Sequence, residues 1–378
     1  MSKRRAKPKK KSATSADGND SLAALRGKID AVDEQIQSLI AERARYAKEV
    51  GVVKGLTHTA EFYRPEREAQ VLRKVVERNR GPLRNEEMVR LYREIMSACL
   101  AQEEPLKVAY LGPEGTFTQS AVLKHFGHSV HAVSVPTIDE VFHEVESGTA
   151  DFGVAPIENS SEGTVNIHTL DMFLRSPLKI CGEIELRIHQ HLMGRMQDLK
   201  DIKRICSHPQ SLAQCRGWLA QHLPDAEKIS VASNAEAARR ARDEHGTAAL
   251  AGEAAASVYG LKILFNAVED REDNSTRFVV VGRKLFPPSG NDKTSVLVSA
   301  KETEEAGVLL QLLLPLSKHG VSMTRIESRP SRKRKWDYVF FLDLEGHADD
   351  ANVRKALEEM KAKASLFKVL GAFPKAVL

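Results

Sequence analysis

The sequence predicts a multi-domain protein: an all-α segment, then a two-lobed α/β domain, then a small α+β domain. Apolar residues recur every three or four positions from Leu22 to Val53, which predicts a long helix. From Lys107 onward, short strand-like runs alternate with helical ones. After the Pro-Pro-Ser-Gly stretch at 287–290, the order of strands and helices changes again. A chain of 378 residues is long enough for two or three such domains.

The net charge of +5 comes from the N-terminus rather than from the globular part. Residues 1–20 contain seven Lys or Arg and two Asp, which leaves 49 basic and 49 acidic side chains elsewhere. We expect a disordered basic tail over 1–20, with non-specific polyanion binding as the alternative, and no specific nucleic-acid partner. No apolar run approaches the ~20 residues that span a bilayer, so no membrane contact is expected.

The cysteines indicate a cytoplasmic protein with reduced thiols. They form no CxxC pair and no metal-like cluster, so we expect no metal ion. The four are Cys99, Cys181, Cys206 and Cys215.

Residues 21–104 are expected to form three helices. Gly81-Pro82 ends the second helix, and residues 84–103 resume a helical pattern. The first helix is ~50 Å long at 1.5 Å per residue, too long to be buried by one small domain. We therefore expect an intertwined homodimer, with a tetramer as the alternative.

Residues 106–284 have α/β patterning. Strands are expected at 108–111, 130–135 and 152–155, separated by a helix ending near Phe126 and another at 138–147. A similar run from Ile184 to Leu264 suggests a second lobe. The chain then returns to the first lobe through 278–281.

Residues 293–374 are expected to form a ferredoxin-like α+β domain, because the elements follow the order βαββαβ. The expected elements are strand 294–299, helix 304–318, strands 321–328 and 337–344, helix 349–363 and strand 366–372.

Four short polar runs carry the chemistry of the α/β domain. Asn-Ser-Thr-Arg-Phe at 274–278 precedes Val-Val-Val and places a hydroxyl and a guanidinium at a strand edge, where both can meet an anion. The others are Gly112–Thr118, Pro156–Ser160 with Gly163, and Ser207–Gln210 with Gln214. Amides and hydroxyls at a helix start suit anions. Ordinary N-caps and Asx turns are the alternative explanation for their Thr, Ser and Asn residues.

These four runs resemble the signature blocks of prephenate dehydratases. Residues 21–378 as a whole resemble the bifunctional chorismate mutase/prephenate dehydratase family, whose last segment is an ACT domain, marked here by Gly307–Leu310 and Glu327–Pro330. The resemblance implies rearrangement of chorismate to prephenate, then conversion of prephenate to phenylpyruvate, water and carbon dioxide. It also implies a cleft like that of periplasmic binding proteins, feedback inhibition by L-phenylalanine, and no cofactor.

For the dehydratase, the resemblance points to Thr276 as the catalytic hydrogen-bond donor to the leaving hydroxyl. Arg277 is expected to bind a substrate carboxylate, or else to pair with Asp270 or Asp273. Glu158 and His208 are the candidate proton sources. The expected substrate-binding residues are Thr116, Thr118, Asn159, Ser160, Ser207, Gln214, Arg277 and Phe278.

For the mutase, the geometry of the first helix can be worked out from spacing. Arg43 and Lys54 are about 20° apart around the axis and ~16 Å apart along it, so both can reach one ligand. Arg26 is about 100° away from that face and ~25 Å distant, so the resemblance assigns it to the partner's site. The expected substrate-binding residues are Arg26, Arg43, Lys54, Arg64, Arg67, Glu68, Cys99 and Glu103, of which Arg43, Lys54 and Glu103 are catalytic.

Three of these positions depart from the family pattern. Glu103 stands where bacterial members often have Gln, with Gln102 as the register alternative. A carboxyl donates a hydrogen bond only when protonated, so we expect a mutase favoured at mildly acidic pH, or a raised Glu103 pKa. Arg64 replaces an Asp and Cys99 replaces a Ser.

In the ACT segment, the residues expected to bind L-phenylalanine are Gly307, Val308, Leu309, Glu327, Ser328 and Arg329. These residues could instead serve packing and a local ion pair. The run 332–335 is expected to be a solvated loop. Two other hypotheses remain open: a dehydratase whose degenerate helical segment only dimerises, and a non-catalytic protein that senses phenylalanine.

Overall fold

In a computed structural model of the chain, the described residues are 16–54, 63–102, 104–160, 167–271, 273–300, 306–330 and 338–377. For residues 16–20, 54 and 167 only the backbone is described. Glu103, Gly163 and the run 332–335 lie outside the described residues. The chain divides into two units after residue 56.

The described part of the first unit is one helix, α1 (Ala16–Lys54). It begins before residue 21: residues 16–20 are helical, which contradicts the expected disordered tail there, and residues 1–15 of that expected tail lie outside the described residues. Its 39 residues make an α-helix of ~58 Å. The apolar positions that predicted this helix are exposed, among them Leu25, Val32 and Leu39.

The second unit begins with a helical pair, α2 (Pro65–Arg78) and α3 (Asn85–Leu100). Pro65 stands at the first turn of α2, where its missing N–H costs nothing. Leu72, Val89 and Met96 pack the two helices together. With α1, these are the three helices that the apolar spacing predicted.

The first lobe is built on a five-stranded sheet of order β2-β1-β3-β10-β4. β1 is parallel to β2 and β3, while β10 runs antiparallel to both β3 and β4. Its elements are β1 (Lys107–Leu111), α4 (Phe117–Phe126), β2 (His131–Val135), α5 (Ile138–Ser147), β3 (Phe152–Asn159), α6 (Ile167–Phe173), β4 (Lys179–Arg187) and β10 (Ser275–Gly282).

The second lobe is a second five-stranded sheet, of order β7-β6-β8-β5-β9. The expected boundary at Ile184 is wrong, because β4 runs on to Arg187 in the first sheet, and the second sheet starts at His191. The elements are β5 (His191–Gly194), β6 (Arg204–Ser207), α7 (Pro209–Gln214), α8 (Arg216–His222), β7 (Glu227–Ser230), α9 (Asn234–Asp243), β8 (Thr247–Ala251), α10 (Glu253–Tyr259) and β9 (Lys262–Phe265).

The third sheet is antiparallel, with order β12-β13-β11-β14, which is the ferredoxin-like arrangement that the element order predicted. Its elements are β11 (Asp292–Ala300), α11 (Val308–Lys318), β12 (Met323–Pro330), β13 (Tyr338–Glu345), α12 (Ala351–Lys363) and β14 (Ala364–Pro374).

The third sheet shares a hydrophobic core with the first lobe. Leu297, Phe341 and Phe373 belong to one buried cluster with Ile180 and Val279. This shared core fixes the third sheet against the strands that carry the polar runs of the first lobe.

Candidate active site

Thr276 and Asn159 face each other where two paired strands end. Thr276 is the second residue of β10 and is the register partner of Asn159, the last residue of β3. The Asn159 side-chain amide donates to Thr276 Oγ1 at 2.9 Å, to Asn274 Oδ1 at 2.8 Å and to the Ser275 carbonyl at 3.2 Å. Thr276 is 9% exposed and Asn159 3%. Because the hydroxyl oxygen accepts from Asn159, its hydrogen remains available as a donor.

Ser160 is hydrogen-bonded to the chain that leads into β10. Its backbone N–H donates to the Ser275 carbonyl at 2.9 Å, and its hydroxyl donates to the Asp273 carbonyl at 3.1 Å. The Ser275 N–H in turn donates to the Ser160 hydroxyl at 2.9 Å. Ser160 therefore holds the chain that enters β10 and positions its neighbour Thr276.

The turn before α4 approaches the second lobe closely. Gly115 has φ +83°, and a Cβ there would lie 3.2 Å from Ala255 Cα and 3.1 Å from the Tyr259 ring. The Tyr259 hydroxyl donates to the Glu114 carbonyl at 3.2 Å. This turn therefore spans the gap between the lobes, with the N-terminus of α4 beside it.

The two threonines of this turn, Thr116 and Thr118, differ in their surroundings. Thr116 precedes α4 as its N-cap residue, but its side chain makes no capping bond; its hydroxyl points back to the Leu111 carbonyl at 3.4 Å. Thr118 lies in the first turn and is buried. The ordinary-capping explanation is therefore wrong for Thr116, and the first amides of α4 are left to other partners.

In the second lobe, Ser207 and Gln214 belong to one buried amide–hydroxyl network. The Ser207 hydroxyl lies 2.7 Å from the Leu250 carbonyl and 3.1 Å from Asn234 Oδ1. The Gln190 amide donates to Ser211 Oγ at 3.0 Å and reaches Gln214 Oε1 at 3.4 Å.

Sequence reasoning missed three members of this network: Gln190, Ser211 and Asn234. Asn234 is also bonded to Ser211 Oγ at 3.0 Å. A signal for it existed, since Asn234 directly follows Ser233, whose hydroxyl caps α9 by accepting from the Glu236 N–H. Gln190 gave no such signal, because it lies in the link between the lobes.

Arg277 points to the opposite side of β10 from Thr276, as successive strand residues must. It binds Glu183 Oε2 at 3.0 Å and Asp343 Oδ2 at 2.5 Å. The two expected acidic partners, Asp270 and Asp273, are wrong. Asp270 accepts from the backbone N–H groups of 217 and 218 at the start of α8, and Asp273 pairs with Arg271.

Phe278 and the two candidate proton sources also have structural partners. Phe278 is 2% exposed and packs in a core cluster that includes Phe126 and Phe152, so its ring stabilises the fold rather than lining the cleft. Glu158 Oε2 lies 3.1 Å from Arg325 Nε and 3.7 Å from Arg277 Nη1, so this carboxyl group pairs with two guanidinium groups. His208 caps α7, with Nδ1 accepting from the Gln210 N–H.

The expected mutase residues of the second unit differ in their surroundings. Arg67 is exposed on α2, and Arg64 is exposed at its start, 4.0 Å from Glu66. Glu68 is turned inward, 3.5 Å from Arg93 of α3. Burial, partly offset by Arg93, raises the pKa of Glu68 to about 7.

The other expected mutase residues are only partly described. Cys99 is buried, and its carbonyl accepts from the Gln102 side chain at 2.9 Å. On α1, Arg26 is exposed and Arg43 half-buried. The side chain of Lys54 and the whole of Glu103 lie outside the described residues.

The expected effector residues lie on two elements of the third domain. Gly307 precedes α11 with φ +82°, and the adjoining Val308 and Leu309 are half-buried. Glu327, Ser328 and Arg329 lie on β12, which is the edge strand. Glu327 lies 3.8 Å from Arg325, and Arg329 lies 3.9 Å from Asp171 of the first lobe.

Three family models match successive parts of the chain. They are chorismate mutase type II over residues 25–104, prephenate dehydratase over 108–285 and the ACT domain over 294–362. A curated bifunctional chorismate mutase/prephenate dehydratase from Stutzerimonas stutzeri is 55% identical over 364 residues, covering 95% of this chain and 99% of the relative.

Solved structures resemble about 71% of the chain. Prephenate dehydratase from Arthrobacter aurescens in complex with L-Phe is 33% identical with TM-score 0.67, covering 71% of this chain and 90% of that one. A structure described as a novel type of quorum-quenching acylase is 28% identical with TM-score 0.65, covering 71% of this chain and 98% of that one. The shared architecture alone therefore does not specify the reaction.

Proposed function

The chain belongs to the family of bifunctional chorismate mutase/prephenate dehydratases, and we propose that Thr276 and Asn159 form the centre of its dehydratase site. The protein rearranges chorismate to prephenate, then dehydrates and decarboxylates prephenate to phenylpyruvate. An ACT domain follows the dehydratase. Within this family assignment, the roles of individual residues are our inference.

The dehydratase step needs a donor at the leaving hydroxyl. As the carboxyl group leaves as carbon dioxide, its bonding electrons enter the ring and hydroxide departs from the opposite ring carbon. Thr276 donates a hydrogen bond to that departing oxygen, because Asn159 occupies the acceptor side of its hydroxyl. The observation that carries the proposal is this 2.9 Å bond between buried side chains.

The carboxylates of prephenate need positive partial charges. We propose that the turn before α4, with Thr116 and Thr118, binds one of them through backbone N–H groups and hydroxyls. Ser160 holds the Thr276 strand, and the network of Ser207 and Gln214 shapes the wall of the second lobe. Arg277 and Phe278 lie outside this set, because their side chains face an ion cluster and the core.

The test replaces Thr276. Thr276→Val keeps the shape but removes the hydroxyl, and we expect phenylpyruvate formation from prephenate to fall by ~100-fold or more, the usual cost of one transition-state donor. Thr276→Ser is the matched control and retains the donor. Starting from chorismate, Thr276→Val should accumulate prephenate. A well-folded valine variant with wild-type phenylpyruvate formation would contradict the proposal.

For the mutase, we propose that cations hold the chorismate dianion and that no nucleophile is required. The proposed contacts are Arg26, Arg43, Lys54, Arg64, Arg67, Glu68, Cys99 and Glu103. We further propose a homodimer in which Arg26 serves the partner's site, with a tetramer as the alternative. The exposed apolar positions of α1, such as Leu25 and Val32, support burial against a second copy. A monomer with full mutase activity would contradict this arrangement.

We propose that L-phenylalanine binds the ACT domain and inhibits the dehydratase. The proposed contacts are Gly307, Val308, Leu309, Glu327, Ser328 and Arg329. The related dehydratase that was solved with L-Phe supports the choice of effector. Calorimetric titration with L-phenylalanine, followed by dehydratase assays across the same concentrations, tests both binding and inhibition.

We propose a basic tail, a mutase domain at 21–104, a dehydratase domain at 106–284 and an ACT domain at 293–374. The cytoplasm is the proposed location. Its support is chemical: the four cysteines are free thiols, and all are buried. Among the described helices, none has a stretch apolar and long enough to cross a bilayer. Fractionation of cells that express the full chain tests the location.

A further inference from the structure

Six charged side chains meet where the first lobe touches the third sheet. Three belong to lobe strands and three to the third sheet, and we call them the interface cluster. Arg277 is central: it lies 3.0 Å from Glu183, 2.5 Å from Asp343 and 3.7 Å from Glu158. The cluster consists of Glu158, Glu183, Arg277, Lys293, Arg325 and Asp343.

Charges within the interface cluster are matched across the contact. The lobe supplies two carboxylates and one guanidinium, a net charge of −1, and the third sheet supplies two cations and one carboxylate, a net charge of +1. Lys293 binds Glu183 at 2.9 Å, and Arg325 binds Glu158 at 3.1 Å. Burial alone would raise the pKa of Asp343, but Arg277 and the Ser295 hydroxyl hold it below its ordinary value. Arg277 and Asp343 therefore depend on each other across the contact.

The interface cluster lies directly behind the proposed catalytic pair. Arg277 follows Thr276, Glu158 precedes Asn159, and the same register pairs Thr276 with Asn159 and Arg277 with Glu158. Because side chains alternate along a strand, the catalytic pair and the cluster occupy opposite faces of the same two strands. Arg277 and Glu158 are therefore joined directly through the backbone to Thr276 and Asn159.

On the other side, the cluster continues to the effector strand. Arg325 lies two residues before Glu327 on β12, and the two side chains are 3.8 Å apart. Asp343 is the register partner of Arg325 on β13. The charged contacts thus run without a gap from a proposed effector residue to the neighbours of the catalytic pair.

Docking alone does not require these charges. The apolar cluster of Leu297, Phe341 and Phe373 already joins the third sheet to the lobe. Buried ion pairs are costly to desolvate and add little to stability over apolar contacts. Loss of one partner of such a pair, however, has a large free-energy cost. A small shift of β12 or β13 therefore changes the ion pairs of Arg277 and Glu158.

We propose that Arg277 and Glu158 are positioning residues for the Thr276–Asn159 pair, and that effector binding at the third sheet acts on the dehydratase through them. This inference rests on the proposed function, which supplies both the catalytic pair and L-phenylalanine as effector. It assigns Arg277 a role through Thr276 rather than a contact with substrate.

The test is Asp343→Asn in the full-length chain, since Asp343 is neither a proposed substrate contact nor a proposed effector contact. We expect kcat of the dehydratase to fall with KM unchanged. We also expect the ratio of kcat without L-phenylalanine to kcat at saturating L-phenylalanine to fall toward 1, by about fivefold or more. The L-phenylalanine Kd from calorimetry should stay within about twofold of wild type.

Two further variants and a control isolate the effect. Lys293→Gln breaks a different cluster contact and serves if Asp343→Asn folds poorly, while Asp343→Glu keeps the charge and should restore part of the inhibition. Glu359→Gln is the matched control: it neutralises a carboxylate of the same domain, paired with Lys318 at 2.7 Å and outside the cluster. It should keep the wild-type inhibition ratio.

The outcomes separate the two proposals. If wild type is inhibited and Asp343→Asn or Lys293→Gln is inhibited equally, with only a lower Tm, the cluster merely supports docking and the inference is overturned. If wild type forms phenylpyruvate but does not respond to L-phenylalanine, the effector proposal fails and takes this inference with it. A loss of inhibition that Glu359→Gln shares equally would also refute the specific route.

Discussion

Gly371 lies where β14 passes against the backbone of β4. A methyl group at position 371 would lie 2.1 Å from the Ile180 carbonyl oxygen and 2.8 Å from the Ile180 N and C atoms. Non-bonded atoms are comfortable at about 3.5–4.0 Å, and a backbone cannot rotate away as a side chain can. Gly371→Ala must therefore separate the two strands by more than about 1 Å.

That separation weakens the docking of the third sheet against the first lobe. Overpacking of a filled core costs about 1–3 kcal/mol. Applied to docking, the same energy raises the population of undocked molecules about 5–150-fold. Since the interface cluster lies on the same contact, inhibition by L-phenylalanine should weaken in parallel.

Hydrogen exchange measures this directly. We expect amides of β4 and β14 to exchange faster in Gly371→Ala by a factor in that range. Gly182→Ala is the matched control on β4, because its added methyl group would meet only side-chain atoms, of His125 at 3.4 Å and of Val280 at 3.5 Å. Unchanged exchange in Gly371→Ala, or equal acceleration in both variants, would refute the packing argument.

Two other predictions concern buried polar groups. Burial raises the folded-state pKa of Glu68 from 4.5 to about 7, so its stabilising contribution is complete below pH 4.5 and is lost as pH rises through 7. Urea unfolding should show Glu68→Gln gaining about 3 kcal/mol relative to wild type across that window; a pH-independent difference would contradict it. Asn159→Ala should lower dehydratase kcat about tenfold or more with little change in KM, and steady-state kinetics that show only a higher KM would oppose the orienting role.

Local pattern was sufficient for much of the fold. The sequence predicted a helix at 138–147, and the structure has Ile138–Ser147, because Thr137 caps it and Gly148 ends it in a left-handed turn. Periodicity could not assign β4 to a sheet. Its apolar residues suit either lobe, and the choice depends on pairing with β10, almost 90 residues later in the chain.

The site was predictable where each of its residues lies within a short local motif. Thr276 and Asn159 were both identified from short polar runs at strand ends, and they are hydrogen-bonded in the structure. The partners of Arg277 were not identified, since Glu183 and Asp343 are 94 and 66 residues away. Proximity in sequence favoured Asp270 and Asp273 as the partners of Arg277, but these two acids bind other groups.

Alternation along β10 explains why one motif serves two purposes. A strand that is buried on both faces must satisfy polar groups on both, and at positions 276 and 277 each face has its own hydrogen-bond partners. One face carries the Thr276 hydroxyl, for which we propose the catalytic role, and the other carries the Arg277 guanidinium, which binds Asp343 of the third sheet. Lengthening the chain by one residue between them would keep both side chains but turn them to the same face. Under the proposed roles, catalysis and its control by the third sheet both depend on Thr276 and Arg277 being adjacent in sequence, so neither side chain can be moved to another position without the other.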